Sequence, residues 1–133
     1  MPHTRSAQVI GYLNGSDVLG VLHAEGFSRL EGAVTGSVNA RKLQMARITG
    51  WAVNVWTGPT VYEQAGFEST ALCVQPLGKA WDQWLAASPQ FPVDAAAQIQ
   101  ASLRALRANG TVKSLEARYW RPISGISPPA AVP

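Results

Sequence analysis

The chain has 133 residues, of which 47% are hydrophobic and 14% charged, and its formal net charge is +3. This length suits one domain, and the apolar content excludes the intrinsically disordered class. No apolar run reaches the roughly 18–20 residues of a membrane helix, and the first residues lack the apolar segment of a secretory signal. We therefore expect a protein of the reducing cytoplasm that has no membrane contact. Its single cysteine, Cys73, excludes an internal disulfide.

The first predicted element is a short helix that follows a turn at residues 14–16. Ser16 or Asp17 can cap this helix, and Gly26 can end it. The next segment, Leu30–Asn39, has apolar residues at alternate positions and a mostly polar second face. It also contains two glycines, each of which would cost a helix about 1 kcal/mol. The segment is therefore predicted to be a strand.

Two further strands are predicted in the middle of the chain. Ala46–Thr57 is rich in β-branched and aromatic residues on both faces, which is typical of a central strand, and Gly58-Pro59 should end it. Residues 39–42 would then connect this strand to the preceding one as an antiparallel hairpin. Ser69–Gln75 alternates in the same way and is predicted to be a third strand, with Cys73 buried as a small apolar residue.

The second half of the chain begins with two predicted helices. Gly78–Ala87 carries apolar residues at i, i+3 and i+4, and Asp94–Asn109 repeats them at i, i+3, i+7 and i+10 before an Asn-Gly exit. Thr111–Trp120 alternates and begins with β-branched residues, which favours a last strand. The alternative is a helix-turn-helix over Gln98–Tyr119, because an Asn-Gly break and an arginine-bearing segment follow a helix.

These elements predict an α+β fold. It has a small, mostly antiparallel sheet of about four strands, with the two helices of the second half packed on one face. We expect residues 1–121 to form a single compact domain and residues 122–133, which carry four prolines and no charge, to form a flexible tail.

Common catalytic and cofactor signatures are absent from the sequence. Gly78-Lys79 lacks the glycine that a phosphate-binding loop needs five residues earlier, since that position is Cys73. There is also no dinucleotide, zinc-protease, dithiol or serine-hydrolase motif. The sequence therefore indicates no cofactor and no metal. An enzyme would need a site built by the fold from His23 and carboxylates, and this small hydrolase or transferase is the alternative hypothesis.

Aromatic and basic residues are the main functional signal. Five tryptophans are many for this length, and Trp51, Trp81 and Trp84 are interpreted as core residues. Trp56 and Trp120 flank predicted strand ends, where an aromatic ring can stack on a base or anchor a protein partner. The densest cluster of like charges surrounds Trp120. The candidate binding residues are Arg104, Arg107, Lys113, Arg118, Trp120, Arg121 and Trp56.

The sequence thus favours a non-enzymatic regulatory protein, of bacterial or phage type, that docks a protein or a nucleic acid. Two basic segments on either side of an acidic one can attract phosphates if they share a face. A homodimer is also expected, because the chain carries more apolar surface than a lone domain of this size needs and sheet edges are pairing templates.

Overall fold

A computed structural model of the chain describes residues 4–80 and 82–123. These residues form two compact units. The first consists of residues 4–79 together with 121–123, and the second consists of residues 80 and 82–120. Among the helices that the structure describes, none is both long and apolar enough to span a bilayer.

Strands and helices alternate along the first unit. In chain order they are β1 (Val9–Leu13), α1 (Val18–Ala24), β2 (Arg29–Ala33), α2 (Gly36–Gln44), β3 (Gly50–Trp51) and α3 (Thr57–Gln64). Short 3-10 turns at Arg5–Ala7 and Ser69–Ala71 flank this series. The strands form a sheet in the order β2-β1-β3, and both pairings are parallel.

The predicted antiparallel sheet of about four strands with two helices on one face is therefore wrong. Across the described residues the chain has a three-stranded, all-parallel sheet and five α-helices. The physical reason lies in residues 36–44, which form a crossover helix, so the flanking strands run in the same direction. Gly36 is the first residue of that helix, where a glycine costs little, and Gly32 lies in β2.

The second predicted strand is also much shorter than expected. Thr49 N donates to Val9 O at 2.7 Å, and Ala52 N donates to Gly11 O at 2.9 Å. The extended segment therefore covers only the few residues that hydrogen-bond to β1. Gly58-Pro59, predicted as a strand terminator, instead lies in the first turn of α3. Proline is tolerated there because the first amides of a helix have no intrahelical acceptor.

The helix predicted after the first turn is confirmed as α1, and Gly26 follows its end with φ of 84°. The predicted cap is not made, however. Asp17 gives no side-chain cap bond, and Ser16 Oγ donates to Leu13 O at 2.7 Å. Ser16 therefore holds the turn between β1 and α1 rather than the helix start.

The core of the first unit includes an asparagine between α2 and β1. Its buried apolar residues are Ile10, Leu22, Ala33, Ala40, Ile48, Tyr62 and Ile123. Asn39 is 0% exposed, and its Nδ2 donates to Tyr12 O at 3.0 Å. The Asn39 Oδ1 atom has no partner among the described residues, and it faces Gly11, where an added Cβ would lie 2.7 Å away.

Residues 121–123 return to the first unit after the second. The Ser69 hydroxyl is buried 2.7 Å from Glu63 Oε1 and 2.8 Å from Pro122 O, so its single proton is shared between two acceptors. Arg121 Nε lies 3.2 Å from Glu63 Oε2, and Ile123 is buried. Residues 122–123 are the described part of the predicted flexible tail. Its other residues lie outside the described part of the chain.

The second unit contains α4 (Val93–Ala108) and α5 (Thr111–Tyr119), which pack against each other. The helix predicted over Asp94–Asn109 is confirmed as α4, and Gly110 exits it in the left-handed region with φ of 81°. The strand predicted over Thr111–Trp120 is wrong, because this segment is α5. Its β-branched residues stand in the first turn, and Leu115 and Tyr119 share a face at the i, i+4 spacing of a helix.

Four other predictions for the middle of the chain are wrong. Ser69–Gln75 is not a strand, and Cys73 within it is exposed. Gly78–Ala87 has no helix among its described residues. Trp84 is 87% exposed and is not a core residue. Trp81, also interpreted as core, lies outside the described residues.

Candidate nucleic-acid interface

The candidate interface is the pair of helices α4 and α5, which we call the hairpin. Asn109 and Gly110 form its turn, and Asn109 Oδ1 accepts a hydrogen bond from Thr111 N at 3.0 Å, which fixes the start of α5. Gly110 supplies the positive φ that this reversal requires. The Asn-Gly signal in the sequence therefore sets the connection between the two helices.

Four of the predicted binding residues lie on the hairpin: Arg104 and Arg107 on α4, and Lys113 and Arg118 on α5. All four are exposed. None takes part in a salt bridge among the residues that the structure describes, and Arg118 lies over the Tyr119 ring, with its guanidinium carbon 5.6 Å from the ring centroid. The hairpin thus presents four cations to solvent within fifteen consecutive residues.

The other three predicted residues are placed differently. Trp120 directly follows α5, is half-buried, and donates its backbone N–H to Glu116 O at 2.9 Å. Arg121 belongs to the first unit, where it pairs with Glu63. Trp56, also in the first unit, precedes α3, and its N–H bonds to Asn54 Oδ1 at 2.8 Å. The structure therefore groups five of the seven residues in the second unit and two in the first.

Sequence reasoning missed a second region, the carboxyl edge of the sheet. In open α/β sheets, ligands bind where neighbouring strands lead to helices in opposite directions, which here is between β1 and β3. Residues 14–17 and 52–56 are the loops at this edge. Three of their polar side chains are placed locally. The Asn14 side chain lies where a Cβ on Gly32 would stand. Ser16 Oγ donates to Leu13 O, and Asn54 Oδ1 accepts from Trp56 N. An Asn-Gly turn after an apolar run could have revealed this edge, had β1 been predicted.

His23, the candidate base of the alternative enzyme hypothesis, is separated from Asp17 by the length of α1. His23 is exposed on the last turn of α1, whereas Asp17 precedes the first turn of that helix. A crossover helix runs antiparallel to its strands, so His23 lies at the amino edge of the sheet, away from the carboxyl edge where ligands bind. Within residues 4–80 and 82–123, no group of three or more His, Cys, Asp or Glu could hold a metal ion.

Comparisons with protein-family models, with curated proteins and with solved structures find no match to this chain. The proposed function therefore rests on the geometry of this chain's own residues.

Proposed function

We propose that this protein is a non-enzymatic regulatory protein that binds nucleic acid through the cations of the hairpin. The observation that carries the proposal is that Arg104, Arg107, Lys113 and Arg118 are all exposed on two packed helices without a carboxylate partner among the described residues. Cations that form no ion pair within the protein bind phosphates well, because no such pair must first be broken.

The hairpin also holds its cations on rigid elements, which favours phosphate binding. Two helices joined by a two-residue turn hold side chains more firmly than a loop, and arginine matches the paired oxygens of a phosphate through its planar fork. Trp120 follows the same helix and can add stacking on an unpaired base. Binding of this kind depends mainly on charge, so affinity should fall steeply with salt.

The direct test is fluorescence anisotropy of labelled single- and double-stranded oligonucleotides, titrated with the protein at several salt concentrations. The double variant Arg104→Ala/Lys113→Ala removes one cation from each helix. It should flatten the log–log salt slope by about 1.4–1.8, since each phosphate contact contributes roughly 0.7–0.9.

A matched control is Arg41→Ala/Arg47→Ala, which removes the same charge from exposed positions of the first unit. This control should change the slope by much less. If wild type does not bind below about 100 μM at low salt, the weak end of ordinary non-specific affinity, the proposal fails. A protein partner for the same residues would then be the better hypothesis.

A cytoplasmic location is part of this proposal. The thiol of Cys73 is free and exposed, and a reducing compartment keeps such thiols from forming intermolecular disulfides.

A further inference from the structure

The described part of the second unit lacks a buried interior. No described residue between 80 and 120 is buried, although α4 and α5 carry large apolar side chains. We call the most regular set of these the apolar face; its members are Ile99, Leu103, Leu106, Leu115 and Tyr119. Their exposed fractions run from 39% to 59%.

The apolar face is continuous along each helix. Ile99, Leu103 and Leu106 follow each other at spacings of four and three residues on α4, and Leu115 and Tyr119 are four apart on α5, so each set forms one stripe. Two amphipathic helices with half-exposed stripes gain little stability alone, since most helical stability in proteins comes from burying such a stripe.

We propose that a second copy of this chain covers the apolar face, so that two hairpins form a symmetric four-helix bundle. Four-helix bundles can be assembled from two helical hairpins, and a two-fold axis makes one self-complementary patch sufficient for both partners.

The area of the apolar face fits this occupant. A fully exposed aliphatic side chain offers about 120 Å² of apolar surface and a tyrosine about 200 Å². At the observed exposures the apolar face presents roughly 300 Å² in each copy. About 60% of an interface is apolar, so two faces imply a total buried area of roughly 1,000 Å², which is at the lower limit for a specific contact.

The charges of the hairpin also allow a second copy to approach. At about 100° per residue, Arg104 and Lys113 each lie roughly 130° from the centre of the apolar stripe on their own helix. Joining two apolar faces therefore leaves these two cations in solvent, while Arg107 and Arg118, roughly 75–80° from the same centres, lie at the edge of the contact. The phosphate-binding test removes Arg104 and Lys113, which lie outside the dimer contact, so either proposal can fail without the other.

The test is sedimentation velocity of the full chain from about 1 to 100 μM. Wild type should form a species of twice 14.2 kDa. Leu103→Glu should be monomeric, because burying two carboxylates at a two-fold contact is strongly unfavourable. Ala101→Glu puts the same carboxylate on the opposite, exposed side of α4 and should still dimerise.

A milder variant keeps the test decisive if Leu103→Glu loses helix content by circular dichroism. Leu103→Ala retains a strong helix former and should raise the dimer dissociation constant about 50-fold, because the lost apolar contact occurs twice. A wild-type monomer throughout the range would overturn the proposal. So would a dimer that is unaffected by both substitutions at Leu103, because its interface would then lie elsewhere.

Discussion

Gly11, in the middle of β1, has no room for a methyl group, and Gly11→Ala tests the packing of α2 on the sheet. A Cβ at this position would lie 2.6 Å from Ile48 Cδ1 and 2.7 Å from Asn39 Oδ1. Ordinary contacts are nearly 1 Å longer. The Ile48 methyl can rotate away, but the Asn39 amide cannot move without weakening its bond to Tyr12 O.

The expected loss can be built up from these contacts. Overpacking costs about 1–3 kcal/mol and a weakened hydrogen bond about 1 kcal/mol more. Replacing glycine in a strand returns roughly 0.5–1 kcal/mol of backbone entropy. The net prediction for Gly11→Ala is a free energy of unfolding lower by about 1–3.5 kcal/mol, and a Tm lower by roughly 5–15 °C.

Urea unfolding followed by far-UV circular dichroism measures this loss. Gly20→Ala is the matched control: it lies in α1 with open space around its Cβ position, and it should stabilise by about 0.5–1 kcal/mol. Asn39→Ala removes the less movable of the two obstacles. In that background Gly11→Ala should cost about 1 kcal/mol less. A cost below about 0.5 kcal/mol for Gly11→Ala in wild type, or full additivity with Asn39→Ala, would refute the reasoning.

Four further substitutions, at three positions, test the contacts of residues 121–122 with the first unit and the turn of the hairpin by the same unfolding measurements. Ser69→Ala leaves the Pro122 carbonyl without its hydroxyl donor and should cost about 1–3 kcal/mol; a neutral result would mean that water replaces the hydroxyl. Glu63→Gln breaks a partly exposed ion pair with Arg121 and should cost less than about 1 kcal/mol, a loss that salt should diminish. Gly110→Ala forces a side chain into the left-handed region and should cost about 1–2 kcal/mol, whereas Gly110→Asn should cost less; equal losses would argue against backbone strain.

The elements that could be predicted from the sequence are those with clear end signals. Gly26 and Asn109-Gly110 mark the ends of α1 and α4, and the apolar repeat of α4 is regular over three turns. The missed helix α2 shows why the sheet was predicted incorrectly. Its fully buried residues are Asn39 and Ala40, neither of which contributes to a pattern of large apolar side chains. Without that helix, the strands on either side could only be joined as an antiparallel hairpin.

The candidate interface was located by its charges but not by its shape. The cluster of cations from Arg104 to Arg118 is visible in the sequence without a structure. The presentation of those cations depends on α5, and two β-branched residues in its first turn favoured a strand. These two residues lower the stability of a helix only slightly, and the contact between α4 and α5 outweighs that loss. This contact is tertiary, so no local pattern in the sequence indicates it.

The return of the chain at residues 121–123 means that the second unit is an insertion within the first. The hydrogen bond from Ser69 to Pro122 joins positions 53 apart, and contacts of such long range form late in folding. Loop closure costs only about 0.6 kcal/mol more for each doubling of the loop. Evolution can therefore lengthen, shorten or exchange the inserted hairpin while the parallel sheet keeps its fold. The condition is that residues 121–123, which return the chain to the first unit, are retained.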